Sequence, residues 1–109
     1  MDPEQKLAQN EALFRTVNET IEKTAVENRY KGGDLHSLVC ECSNPECGEL
    51  IPLSLTQYED VRRDPNRFLI KTGHDNQEIE NVVERFDDYV VIEKLGRGRE
   101  EAEDTDPRW

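Results

Sequence analysis

The chain has 109 residues, of which 36% are charged and 34% hydrophobic, and its net charge is −11. That length makes a single small domain with a modest core, a size class that commonly needs a staple. The negative field disfavours phosphate backbones and anionic lipid, so nucleic-acid and membrane binding are not expected. No apolar run reaches the length of a membrane span, and Met1-Asp2-Pro3-Glu4 lacks the basic and apolar regions of a signal peptide, so a cytoplasmic protein is expected.

In chain order, residues 2–29 predict an amphipathic helix. Asp2 suits the N-cap, Pro3 the first helical position, and Gln5 completes a capping-box pattern. Phe14, Val17, Ile21 and Ala25, widened by Leu7, Leu13 and Val26, make an apolar stripe expected to pack on the domain's own sheet. A second copy or another protein could take the same face, which raises a homodimer through this helix. Glu11, Glu19, Glu22, Lys23 and Glu27 are expected to face solvent, and Lys31-Gly32-Gly33-Asp34 to stop the helix.

Past residue 34 the period shortens. Strands are expected at 35–40, 49–53 and 68–71. A capping box at Thr56–Glu59 opens a short helix, Gln57 to Arg63, which Asp64-Pro65 ends. Between residues 78 and 95 a hairpin is preferred to a helix, turning at Asp87-Asp88 with Phe86 and Tyr89 facing each other. Residues 96–109, beginning Gly96-Arg97-Gly98-Arg99, read as a flexible acidic tail. The expected organisation is a helix and linker at 1–34, an α+β core at 35–95 and the tail at 96–109. The core carries 13 acidic and 6 basic side chains, a balance of −7 that permits basic protein partners.

Cysteine usage carries the chemistry. All three cysteines fall in Cys40-Glu41-Cys42-Ser43-Asn44-Pro45-Glu46-Cys47, and His74 follows in Thr72-Gly73-His74. In a reducing compartment a clustered, odd number of thiols points to metal before disulfides. Three thiolates and an imidazole are a complete ligand set for tetrahedral zinc, so Cys40, Cys42, Cys47 and His74 are the expected metal ligands. His36, four residues before Cys40, is the alternative fourth ligand, with Glu46 and Asp75 as oxygen donors. A water in that place would make a hydrolytic zinc enzyme conceivable. The carboxylates form no recognisable catalytic arrangement, however, and a non-enzymatic interaction or regulatory module is preferred. A zinc-thiolate redox sensor is the second reading. Arg62, Arg63 and Arg67 read as a surface salt-bridge cluster rather than an anion site.

Several segments together resemble a group of small bacterial proteins, common in actinobacteria. They are Asn10-Glu11-Ala12-Leu13-Phe14-Arg15, Val39-Cys40-Glu41-Cys42, Tyr58-Glu59-Asp60-Val61-Arg62, Pro65-Asn66-Arg67-Phe68, Gly73-His74 and Val91-Ile92-Glu93-Lys94. The group's pattern of Cys-x-Cys, a third cysteine and Gly-His falls on Cys40, Cys42, Cys47, Gly73 and His74. The resemblance implies the same ligand set and brings no activity with it. Asp88 departs from the group's glycine in the hairpin, which implies a turn longer than two residues.

Overall fold

The computed structural model describes residues 3–76 and 79–108. Helix α1 (Pro3–Glu27) is followed by strands β1 (Leu35–Val39) and β2 (Leu50–Ser54), helix α2 (Leu55–Val61), strands β3 (Arg67–Lys71), β4 (Glu80–Arg85) and β5 (Tyr89–Lys94), and helix α3 (Gly96–Asp104). The fold is α+β, with two antiparallel sheets where one was expected. β1 pairs with β2, and β5 lies between β3 and β4. The central strand β5 is buried from Tyr89 to Ile92, which accounts for its unbroken apolar run. Leu38, Ile51, Leu53, Tyr58, Phe68 and Ile92 lead one core that also contains Cys40 and Cys42. The start of the cysteine loop is therefore part of the core, while residues 44–46 and 48–49 are exposed.

The 78–95 segment is the expected hairpin. Val82 pairs with Ile92 and Arg85 with Val90, with a register shift between Val82 and Glu84. Phe86 and Tyr89 stack with centroids 4.5 Å apart. The Phe86 N–H donates to the Tyr89 carbonyl (2.9 Å), closing the loop over Asp87-Asp88 alone. The longer turn implied by Asp88 does not form, and neither aspartate needs a positive φ. The capping box of α2 sits earlier than expected: Ser54 is the N-cap and Gln57 its partner. Thr56 cannot serve as the cap because its hydroxyl and its N–H are both held by the Gly32 carbonyl.

The expected cap at Asp2, and with it the pairing to Gln5, lies outside the described residues. At its other end α1 stops before the glycines. Arg29 takes φ 62°, the Tyr30 N–H bonds the Ala25 carbonyl and the Arg29 N–H bonds the Val26 carbonyl. This is a Schellman ending with arginine in the position that usually holds glycine. Arg29→Gly is expected to raise stability by about 0.5–1 kcal/mol, the relief of a left-handed β-carbon less the entropy of a freer unfolded chain. A urea midpoint no higher than wild type would refute this.

The orientation of α1 corrects the stripe prediction in part: Ala25 is buried, Ile21 packs on the core, and Leu7 and Phe14 are half-buried. Leu13 (60% exposed), Val17 (39%) and Val26 (61%) face outward, while Glu11, Arg15 and Asn18 are fully buried beside Ala8, Ala12 and Ala25. The inward face mixes alanines and Ile21 with polar side chains, for which the rest of the chain supplies partners. Lys94 Nζ reaches Glu11 (2.5 Å) and Glu80 (3.2 Å). Arg62 bridges Glu19 (2.6 Å) and Asp106 (2.5 Å). Arg15 donates to the carbonyls of Pro65 (2.5 Å) and Ala102 (2.7 Å) and lies over the Phe68 ring at 4.6 Å. Each buried charge is thus paired or hydrogen-bonded, the condition under which burial is tolerated.

Residues 96–104, expected within a flexible tail, form α3 and dock on α1, and Ala102 and Asp106 are buried there. Gly98 is a packing glycine: a β-carbon on it would come within 2.8 Å of the Lys94 Cε. Beyond α3, Arg108 clamps Glu19, Glu22 and Glu59 with contacts of 2.8–3.0 Å. Burial, and then a hydrogen bond with Glu59, pushes the Glu22 carboxyl up to about 8 from its ordinary range near 4.5. A pKa raised by folding contributes stability that is complete below the unfolded value and is lost as pH climbs through the folded one. The contribution of Glu22 to stability is therefore expected to fall between about pH 5 and pH 9. Glu22→Gln should flatten that slope, and denaturant titrations with equal slopes in the two proteins would contradict the assignment.

Candidate metal centre

The centre is assembled from two ends of backbone that the sheets bring together. β1 delivers Cys40 just past its last residue, and the Cys40 N–H donates to the Glu49 carbonyl (2.9 Å), closing the base of the loop. Within it, the Asn44 side chain accepts from the Glu46 N–H (3.0 Å), and the Cys47 N–H donates to the Asn44 carbonyl (3.1 Å). This Asx-type turn through Asn44-Pro45 folds Cys47 back toward Cys40 and Cys42. Gly48 follows at φ +63°, a conformation glycine adopts without strain. From the other sheet, β3 ends at Lys71 and a tight turn follows. Gly73 takes φ +89° and the His74 N–H donates to the Lys71 carbonyl (2.9 Å).

The result is that one ligand atom from each of Cys40, Cys42, Cys47 and His74 lies within 4.8 Å of all the others. His74 Nδ1 stands 3.4 Å from Cys47 Sγ and 3.9 Å from Cys40 Sγ. A tetrahedral ion with metal–sulfur bonds of about 2.3 Å and metal–nitrogen bonds of about 2.0–2.1 Å sets its ligands about 3.5–3.8 Å apart. The two spacings straddle that edge length, so the four side chains could hold a metal with small adjustments. Cys40 and Cys42 form the buried half of the site, Cys47 is partly exposed and His74 is exposed.

The protonation chemistry of the cluster favours a cation. A hydrogen bond from Cys40 draws the Cys42 thiol down to about 5. Cys40 moves up in the same exchange, with burial adding to the rise, and burial raises Cys47 as well. Without a positive charge among them, three crowded sulfurs cannot all be thiolates; a divalent ion removes that conflict. The Cys40 sulfur also accepts the Lys71 N–H (3.1 Å), an outer hydrogen bond that suits a thiolate ligand.

The expected ligand set comes together as a whole, and the alternatives do not join it. His36 sits on β1 with its ring edge-on to Tyr30 at 5.2 Å. Neither Glu46 nor Asp75 belongs to the cluster. Of the three arginines expected in a surface salt-bridge cluster, Arg62 is instead buried in ion pairs with Glu19 and Asp106, while Arg63 pairs with Asp60 at the surface (2.8 Å).

Sequence reasoning missed Glu41. It lies between two ligands and is fully buried. One carboxylate oxygen accepts the Leu69 N–H (2.9 Å), and the other accepts from the Tyr58 hydroxyl (2.7 Å) and the Asn18 amide (2.8 Å). Burial raises its pKa, against these opposing hydrogen bonds. The signal available in the sequence was strand alternation, which turns residue 41 away from residues 40 and 42. A second signal was the polar series Glu11, Arg15, Asn18 and Glu22, spaced four, three and four.

Among the described residues no helix is long and apolar enough to cross a membrane. No protein-family model, curated protein or solved structure matches the chain.

Proposed function

We propose that this chain is a small zinc-binding protein of interaction or regulatory type, with Cys40, Cys42, Cys47 and His74 holding a structural zinc ion. The observation that carries the reading is the convergence of four protein donors from two sheets within 4.8 Å. Zinc is the ion favoured by three thiolates and an imidazole, and four protein ligands are the mark of a closed structural site. Bound there, zinc would tie the β1–β2 loop to the β3 turn and neutralise part of the thiolate charge. A closed site leaves no place for a metal-activated water, so the reading is non-enzymatic. The net charge of −11 selects basic protein surfaces as partners.

The exposure of Cys47 and His74 favours one further reading, a redox sensor in which the outer ligands are lost first. The cobalt-substituted protein separates these functions. A four-coordinate spectrum with thiolate charge-transfer bands, unchanged by azide, is the expected result. A spectrum that shifts with azide would reveal an open position and turn the reading toward a hydrolytic enzyme. Zinc retained through mild peroxide treatment would remove the sensor reading.

A further inference from the structure

The residues of the ligand loop alternate between two tasks. Cys40 and Cys42 face the metal cluster. Val39, Glu41 and Ser43, the residues between and beside them, are held by α1. The Asn18 amide donates to the Val39 carbonyl and to Glu41, while its oxygen accepts the Val39 N–H, each at 2.8 Å. About two turns of helix toward the N-terminus, the Asn10 amide donates to the Ser43 carbonyl at 3.0 Å. On the opposite side β3 completes the clamp: the Glu41 N–H donates to the Leu69 carbonyl (2.7 Å), and the Lys71 N–H reaches Cys40 Sγ. Asn18 and Glu41 are both fully buried, so water cannot replace these bonds if they break.

A backbone strip with a period of two cannot shift on one side without shifting on the other. We infer that Asn18, Asn10 and Glu41 are positioning residues for the metal centre, and that docking of α1 and binding of the ion are one coupled equilibrium. The inference rests on the metal reading above and adds a consequence to it. Helix α1, whose inward face is partly polar, is held against the loop most firmly when the ion fixes Cys40 and Cys42. By reciprocity, whatever detaches α1 weakens the metal site by the same factor. Outer partners of this kind are worth about 10–100-fold in metal affinity.

The test uses the full chain and cobalt(II), with affinity and band shape read from the absorption spectrum. Asn18→Ala is expected to bind cobalt about 10–100-fold more weakly than wild type and to broaden the ligand-field bands. Asn10→Ala, which removes a single bond to Ser43, is the milder variant that remains informative if Asn18→Ala fails to fold. It is expected to weaken binding by severalfold. Val82→Ala, a half-buried substitution in the outer strand β4, which does not pair with β3, should bind as wild type does. Asparagine variants within twofold of wild type overturn the coupling, as does a Val82→Ala affinity that falls equally. A wild-type chain that takes up no cobalt overturns the metal reading, and the coupling with it.

Discussion

Cys40→Ser is expected to leave the chain metal-free and unfolded at 25 °C. Cys40 is 1% exposed, belongs to the core, and supplies both a ligand and the acceptor for the Lys71 N–H. A structural zinc site contributes an apparent binding energy of about 10–16 kcal/mol near neutral pH. The net stability of a domain is about 5–15 kcal/mol, so losing the ion consumes most or all of it. Hydroxyl for thiol is a small steric change, and packing alone predicts only a mild effect. Far-UV circular dichroism and a urea titration separate the two. Native helix signal with a wild-type midpoint would show that the fold does not depend on the ion. Acid should mimic the mutation, because thiolates and imidazole must be deprotonated to bind metal.

The second large effect is expected from Lys94→Ala. Lys94 is 1% exposed and is the cation between Glu11 and Glu80, both themselves buried. Removing it leaves two carboxylates facing each other in the interior, a change that costs about 3–5 kcal/mol. Burial already pushes the Glu11 carboxyl well above its ordinary range even with Lys94 present, so it would respond by taking up a proton. Combining Lys94→Met with Glu11→Gln should recover much of the loss, since Glu80 keeps its hydrogen bond from the Asn76 N–H. The pair is thus expected to be strongly non-additive in a double-mutant cycle. A simple sum of single-variant losses would mean the triad is not the unit that holds α1.

These two sites differ sharply in how far the sequence discloses them. The Cys3His cluster is legible because it is written in rare residue types. Three cysteines within eight residues and a Gly-His have few other uses in a 109-residue chain. The hairpin at Asp87-Asp88 is legible for a similar reason, since two apolar runs separated by two residues admit few alternatives. The orientation of α1 is not legible by hydrophobic period, which assumes that the apolar face is the buried one. Here Leu13 and Val17 face outward because Lys94 and Arg62 meet Glu11 and Glu19 from 83 and 43 residues away. Those long-range pairings have no local trace. Nor does α3, whose docking depends on the small residues Gly98 and Ala102 and on Asp106 reaching Arg62. Composition alone makes that segment look like solvent-loving tail.

The polar face of α1 also gives the fold a particular economy. A chain with 34% hydrophobic residues has little apolar surface to spare for a 25-residue helix. Its inner face is instead specified by hydrogen bonds and ion pairs whose geometry admits one register. Such contacts hold orientation more than they add net stability. The stabilisation is left to the core and, on the function proposed above, to a metal clasp at Cys40, Cys42, Cys47 and His74.

The most direct measurement is therefore the metal content and coordination shell of the full chain purified without added chelator. One zinc ion per chain, with X-ray absorption showing three sulfur ligands and one nitrogen, is the predicted result. A folded, monodisperse protein carrying no stoichiometric metal would contradict it, as would a shell containing oxygen in place of His74.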